Sequence, residues 1–291
     1  MRFLVILLSI FITLTASAQK EYTPPYPAQL KILSWNIHML PYFVYHKTKK
    51  QKRAKGIVAE LQQRDYNILV LQESFHLIAR RKIKKGLKEK YPYSYGPANR
   101  KFLSLKTNSG IWVLSDRPLT VKGEVEFTEC ANDGCLARKG GLMVEGEHNG
   151  HIFQIVGTHT NGNPQVVNRH QFRQLYDELL KPNEDTATVQ IICGDMNCQR
   201  SKPDDYEAML RLLHVTQQPH YNCKEDTTST TEIDHTVDYI LVRKNGAAIN
   251  IIRTATIRIG PAWKSGNPKR YGTTVGLSDH YAVEMTIDWI E

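Results

Sequence analysis

Residues 32–38 read I-L-S-W-N-I-H. Ile32 and Leu33 start an apolar run of the kind that pairs into a buried sheet, and the run then ends on an amide, Asn36, and an imidazole, His38. Five more places along the chain repeat this pattern of apolar residues meeting a few polar ones. Ile68-Leu69-Val70-Leu71 runs into Gln72-Glu73, Ile155-Val156-Gly157-Thr158 into His159, and Ile191-Ile192-Cys193-Gly194 into Asp195-Met196-Asn197. Near the C-terminus Val237-Asp238-Tyr239 opens one run and Ser278-Asp279-His280 precedes another. Taken singly, each fragment suits a turn or a helix cap, since Asn, Asp and Gly are ordinary turn residues and Glu favours a first helical turn. Taken together, they place acids, amides and imidazoles at the ends of strands.

Working outward, short Ile-, Val- and Leu-rich runs predict strands at 30–35, 68–71, 109–114, 141–144, 152–158, 189–193, 238–242, 250–257 and 281–287. Helical periodicity covers 52–63, 77–90, 167–180 and 204–213; in the last, Tyr206, Met209, Leu210 and Leu213 share one face. Strands and helices are spread over the whole length, so the expected class is α/β, with two packed sheets and helices outside. No linker, repeat or low-complexity tract divides residues 19–291, which predicts one domain burying roughly three quarters of its extended surface.

The polar strand ends suit metal-assisted phosphoester hydrolysis. A phosphodiester repels an incoming nucleophile, and a hard cation on its oxygens offsets the charge that grows in the transition state. Magnesium takes a few carboxylate and amide oxygens and keeps several waters, which matches Asn36, Glu73, Asp195 and Asn197. One or two ions are expected, and Mn2+ or Co2+ can fill the same oxygen sites. A histidine near its ordinary pKa can take a proton from water, with a carboxylate behind it to fix the ring: Asp238 or Asp279 can do this for His280. His159 can stabilise phosphate oxygens or protonate the leaving group.

The N-terminal M-R-F-L-V-I-L-L-S-I-F-I-T-L-T-A-S-A combines one basic residue, an apolar stretch and a small-x-small ending, which predicts a signal peptide cleaved after Ala18 and a secreted or periplasmic chain. The apolar run is too short for a membrane span, and the mature chain has no other candidate. The formal charge of +9 favours anionic partners, whether lipid head groups, phosphate esters or nucleic acid, without choosing among them. Five cysteines (Cys130, Cys135, Cys193, Cys198, Cys223) leave at least one unpaired, and Cys130 and Cys135 are close enough to close a small loop.

The ordered set W-N-I-H (35–38), Q-E (72–73), G-T-H (157–159), G-D-M-N (194–197), D-Y-I (238–240) and S-D-H-Y (278–281) resembles the endonuclease/exonuclease/phosphatase superfamily. That resemblance implies a DNase I-like four-layer sandwich, two mixed sheets packed face to face with helices outside, over residues 30–289. Within the superfamily N-I-H-M-L-P (36–41), C-A-N-D-G-C-L-A-R-K-G (130–140), D-Y-E-A-M-L (205–210) and S-D-H-Y-A-V-E (278–284) look most like bacterial neutral sphingomyelinases. The resemblance implies that Glu73, with Asn36, holds the principal cation; that Asp195 and Asn197 position phosphate, water or a second ion; and that Asp279 lies close to the metal. It implies His280 as the general base oriented by Asp238, and His159 as phosphoryl stabiliser or leaving-group assistant. His280 also counts among the groups able to touch the ion.

Two stretches depart from that family pattern. Where such proteins carry an aromatic hairpin, 261–272 reads P-A-W-K-S-G-N-P-K-R-Y-G, with only Trp263 and Tyr271 as membrane-contact candidates. The segment T-N-G-N-P-Q after His159 is short. The expected activity is Mg2+-dependent hydrolysis of sphingomyelin or a related sphingophospholipid at a membrane surface, by a chain acting as a monomer. The alternatives are a secreted endonuclease on the same site, supported by basic charge alone, and a catalytically silent lipid-binding module.

Overall fold

The computed structural model describes residues 28–41, 48–187, 189–216, 236–244, 249–261, 263–264 and 274–290, with the backbone alone at 263–264 and 274–275. The chain runs β1 (Leu30–Asn36), α1 (Lys50–Gln62), β2 (Ile68–Gln72), α2 (Leu77–Leu87), β3 (Tyr93–Tyr95), β4 (Trp112–Ser115), β5 (Thr120–Glu126), β6 (Gly140–His148) and β7 (His151–His159). It continues through α3 (Gln165–Leu175), β8 (Val189–Asp195), α4 (Pro203–Leu212), β9 (Asp238–Lys244), β10 (Ile249–Ile257), β11 (Trp263–Lys264), β12 (Thr274–Val275) and β13 (Ala282–Trp289).

Two large mixed sheets result, ordered β10-β13-β1-β2-β4-β3 and β5-β6-β7-β8-β9. Strand side chains alternate with a period of two, so each strand serves two layers. Ile32, Ile68, Val70 and Met285 of the first sheet meet Leu142, Ile155, Ile191 and Ile240 of the second in one central core. The opposite parity, Leu33, Trp35, Leu69 and Leu71, packs under Ala54, Ile57 and Leu61 of α1 and Ala79, Ile83 and Leu87 of α2. On the far side Met143, Val156, Ile192 and Leu241 pack under Phe172 and Leu175 of α3 and Met209 and Leu210 of α4. These are the four layers expected from sequence, and the double burial explains why most of these strands read as continuous apolar runs.

The expected strand at 109–114 begins later, at Trp112, because Ser109 and Gly110 bond outside the sheet ladder, Ser109 N–H donating to the Ala98 carbonyl and the Gly110 carbonyl accepting Ser74 N–H. The edge strands β3 and β5 hold mostly exposed or half-buried residues and so lack an apolar run that could announce them. The helix expected over 167–180 is α-helical only to Leu175 and widens to a π-turn at Tyr176–Leu180. Cys130 and Cys135 are joined in a disulfide. The expected signal peptide, Cys223 and Tyr271 lie outside the described residues, and Trp263 is described by its backbone alone, paired with Val275. Among the described residues no helix is long and apolar enough to cross a membrane.

Candidate active site

Strand register builds the site. In the second sheet His159 of β7 pairs with Asp195 of β8, and Asp195 with Asp238 of β9, so three ionisable groups from distant parts of the chain form one row. In the first sheet Asn36 of β1 pairs with Gln72 of β2, directly before Glu73. Each lies at even spacing from a central-core residue of its own strand: Asn36 from Ile32, His159 from Ile155, Asp195 from Cys193, Asp238 from Ile240. The apolar core between the sheets therefore ends in a polar row on the same inward face. Asn36 bridges the two sheets, donating from Nδ2 to Asp195 Oδ2 at 3.1 Å, while its Oδ1 accepts His38 N–H at 3.0 Å. The glycine before Asp195 is required by close packing: a Cβ on Gly194 would lie 2.1 Å from the Thr158 carbonyl oxygen.

A cavity of about 440 Å3 opens over this row. Glu73, His159, Asp195, Asn197, Asp279 and His280 all line it, together with His38, Lys139 and an apolar rim that includes Phe75, Leu105 and Leu136. Asn36 and Asp238 are buried behind that wall and act on it through Asp195 and His280. Three of the residues around the site, His38 (φ 48°), Glu73 (φ 54°) and Asn197 (φ 47°), hold the left-handed backbone conformation that side chains seldom adopt. Such strain persists where the surroundings over-determine it, as at a functional site.

His280 Nδ1 lies 2.7 Å from Asp238 Oδ2, leaving Nε2 on the cavity side, 3.8 Å from Asp195 Oδ2. Of the two carboxylates that the residues alone left open, Asp238, the one the resemblance implied, is hydrogen-bonded to the ring. Asp279 instead takes His38, at 2.5 Å. Burial by itself lowers the His280 pKa, but Asp238, Asp195 and Asp279 outweigh it and hold the ring well above the ordinary histidine value. His159 goes the other way: burial, then Lys139 and His280, pull it down to about 3 against the 3.5 Å contact with Asp195. Asp195 is raised by burial, yet the nearby histidines, Lys139 and the Asn36 amide bring it below the usual carboxylate range. Asn197 donates its backbone N–H to Asp195 Oδ1 and its side-chain amide to the Thr160 carbonyl.

Glu73 has a different environment. Burial raises its pKa, His38 opposes that, and neighbouring Asp279 raises it further. A desolvated carboxylate beside a second carboxylate, both facing a polar cavity, is a donor set that a hard divalent ion satisfies. The residues present therefore fit a magnesium-type cation. Asp195, Asp238 and His280 also bring ligand atoms within 4.8 Å of one another. The hydrogen bond between the last two, however, makes them first a base and its orienting acid.

Three participants were assigned no role from sequence. His38 stood in the quoted W-N-I-H and Lys139 in A-R-K-G, but neither motif shows where its side chain points. Lys139 Nζ donates to the Thr160 carbonyl at 2.8 Å within reach of the charges of Asp195, Glu73 and Asp133; burial lowers its pKa. Arg53 looked like part of a solvated basic run. It is buried, and its guanidinium donates to the carbonyls of Ile37, His38 and Leu277, tying the loop after β1 to the loop before β13.

The sequence matches the Endonuclease/Exonuclease/phosphatase family over residues 33–280. The chain belongs to that family. Among curated relatives, sphingomyelinase C of Listeria ivanovii is 23% identical over 289 residues, covering 89% of this chain and 86% of the relative. The crystal structure of sphingomyelinase C from Streptomyces griseocarneus shares the fold with a TM-score of 0.74 at 22% identity, covering 89% of this chain and 99% of that one. A beta toxin variant from Staphylococcus aureus, crystallised with bound magnesium ions, superposes with a TM-score of 0.72 at 20% identity, over 88% of this chain and 99% of that one. Family membership places the cavity at the end of the two sheets in a family of phosphoester-cleaving proteins.

Proposed function

We propose that this family member is an exported, magnesium-dependent phosphodiesterase that splits sphingomyelin, or a closely related sphingophospholipid, into ceramide and phosphocholine, with residues 19–291 working as one monomeric domain. The observation that carries the reading is the single cavity uniting Glu73, Asp195 and Asp279 with the His280–Asp238 pair and His159. The sphingomyelinase names of the curated relatives support the substrate class.

Glu73, Asp195, Asn197 and Asp279 would offer oxygens to the cation, with Asn36 orienting Asp195 from behind. A bound magnesium ion supplies charge neutralisation for the phosphoryl oxygens. A cation held by Asp195 and Asp279 would offset two of the charges that raise the His280 pKa, freeing Nε2 of this Asp238-fixed ring to take a proton from water aligned opposite the ceramide oxygen. His159, neutral at physiological pH, is suited to donate a hydrogen bond to a phosphoryl oxygen rather than to serve as the acid for the leaving group. Lys139 carries positive charge at the wall where the phosphate sits.

The test is a substrate panel of sphingomyelin, phosphatidylcholine, ceramide phosphoethanolamine and plasmid DNA, with magnesium or with chelator. Phosphocholine release from sphingomyelin that stops in chelator supports the reading. Nicking of the plasmid without lipid turnover would move the site to the nuclease alternative, and vesicle binding with no turnover of anything to the silent module. Glu73→Gln should remove the magnesium-induced rise in Tm while leaving the metal-free Tm unchanged or higher, because the variant no longer buries an uncompensated carboxylate.

A further inference from the structure

Phe102, Leu103 and Leu105 are 94%, 92% and 107% exposed, values that apolar side chains reach only where none of the described residues covers them. They occupy the segment 100–107, R-K-F-L-S-L-K-T, between β3 and β4. The tip is built rather than loose. The Arg138 guanidinium donates to Ser104 Oγ at 2.7 Å and to Glu126 at 2.6 Å, and Ser104 Oγ also accepts Lys106 N–H. Thr107 exchanges backbone hydrogen bonds with the segment at 136–138, donating its N–H to the Leu136 carbonyl and accepting Arg138 N–H, at 3.0 Å each. Leu103 is held at φ 59°, a conformation costly for a branched apolar residue, and yet its side chain points into solvent.

The surroundings indicate what covers the tip. Leu105 lines the catalytic cavity beside Phe75, Leu136 and Leu40, so the apolar surface continues from the tip to the mouth of the site. Arg100 and Lys101 precede it, and Lys106 follows; Arg100 and Arg81 both repel the Arg80 guanidinium, which places a cationic cluster at its base. Apolar residues flanked by cations match an anionic bilayer surface, where side chains enter the acyl boundary and charges meet head groups. Two of the three exposed side chains are leucines, which offer no ring on which nucleic-acid bases stack, and Phe102 alone does not make the succession of aromatic platforms that a strand of bases needs.

We propose that the 100–107 segment is the membrane-docking element of this protein, inserting Phe102 and Leu103 into an anionic lipid surface and holding the cavity mouth, through Leu105, at the level of the head groups. This assigns docking to a part of the chain other than the Trp263 and Tyr271 stretch singled out from sequence. It deepens the phosphodiesterase reading and rests on it only for the orientation of the cavity.

The mature chain and its Phe102→Ser/Leu103→Ser variant are each mixed with phosphatidylcholine vesicles containing one fifth phosphatidylserine, and bound protein is measured by sedimentation. Each apolar side chain removed from a bilayer is worth on the order of tenfold, so the double variant should bind at least tenfold more weakly. Turnover of a monomeric short-chain sphingomyelin should match that of wild type. In a separate Phe102→Trp variant, emission should shift to the blue on addition of vesicles. Unchanged vesicle binding by the double variant, or no blue shift, overturns the proposal. So does a wild-type dimer in sedimentation equilibrium that the double variant dissolves, because the tip would then cover a second copy. If wild type cleaves no phosphodiester but binding still depends on Phe102 and Leu103, the docking surface stands and the proposed substrate falls. If cleavage proceeds and binding is indifferent to them, the reverse holds.

Discussion

Replacing Arg53 by methionine tests whether the site is held together from behind. The side chain of Arg53 is 2% exposed and donates to three carbonyls: Leu277 at 2.8 Å, His38 at 2.8 Å and Ile37 at 2.5 Å. Methionine fills much of the same volume and donates to none of them. Each buried acceptor left unpaired costs about 1–3 kcal/mol. Part of that is recovered, because Arg53 is itself an expensive group to bury: desolvation lowers its pKa to about 10 despite the favourable charges of Asp279 and Glu73. The net expected loss is about 3 kcal/mol, which for a urea slope of about 3 kcal/mol/M moves the unfolding midpoint down by roughly 1 M. Urea unfolding followed by far-UV circular dichroism measures it, with the slope as control. Turnover should fall as well, since the His38–Asp279 pair spans the two loops that Arg53 ties. Arg53→Lys should rescue little, because one ammonium cannot bridge three carbonyls fixed for a planar fork. A midpoint shift under 0.3 M, in the face of the roughly 1 M expected, refutes the reasoning.

His280→Ala should lower kcat about 10²–10⁴-fold while magnesium still raises the Tm; activity surviving within a few fold removes the base assignment. In chelator, the charge of Asp238 keeps the His280 pKa raised, so its contribution to stability is complete below the unfolded value of about 6.5 and is lost as pH rises through the higher folded value. Asp238→Asn should flatten that alkaline loss in urea titrations run from pH 6 upward, and an unaltered slope contradicts the pairing. Cys193 and Cys198 are buried and unpaired, and burial pushes the Cys198 thiol up to about 12 and that of Cys193 higher still. In a Cys223→Ser background a thiol reagent should therefore label neither until denaturant is added; rapid labelling of the native protein contradicts their burial.

The layered fold was legible because its cause is local and repeated. Runs such as 68–71 and 191–193 are apolar on both parities, which only a sheet covered on both faces tolerates, and the helix at 204–213 shows one apolar face. Edge strands β3 and β5 were illegible for the same reason, since a strand with almost nothing fully buried carries no apolar run. The ordered polar strand ends likewise announced a cation-assisted phosphoester site, because each marks the position where an inward-facing row stops being apolar.

Which of those polar groups meet, and how, was decided by tertiary structure. Asp238 and Asp279 were equal candidates behind His280 from the residues alone; pairing Asp238 with Asp195 in β9 and β8 placed one under the imidazole, and His38 claimed the other. Arg53, Lys139 and the Phe102–Leu105 tip read as an ordinary basic run, a motif neighbour and an unremarked loop. Their roles depend on distance through space and on what does or does not cover them. Sequence carries the alternation that builds each layer, whereas the register between strands more than forty residues apart, and the burial it creates, exist only once the chain is folded.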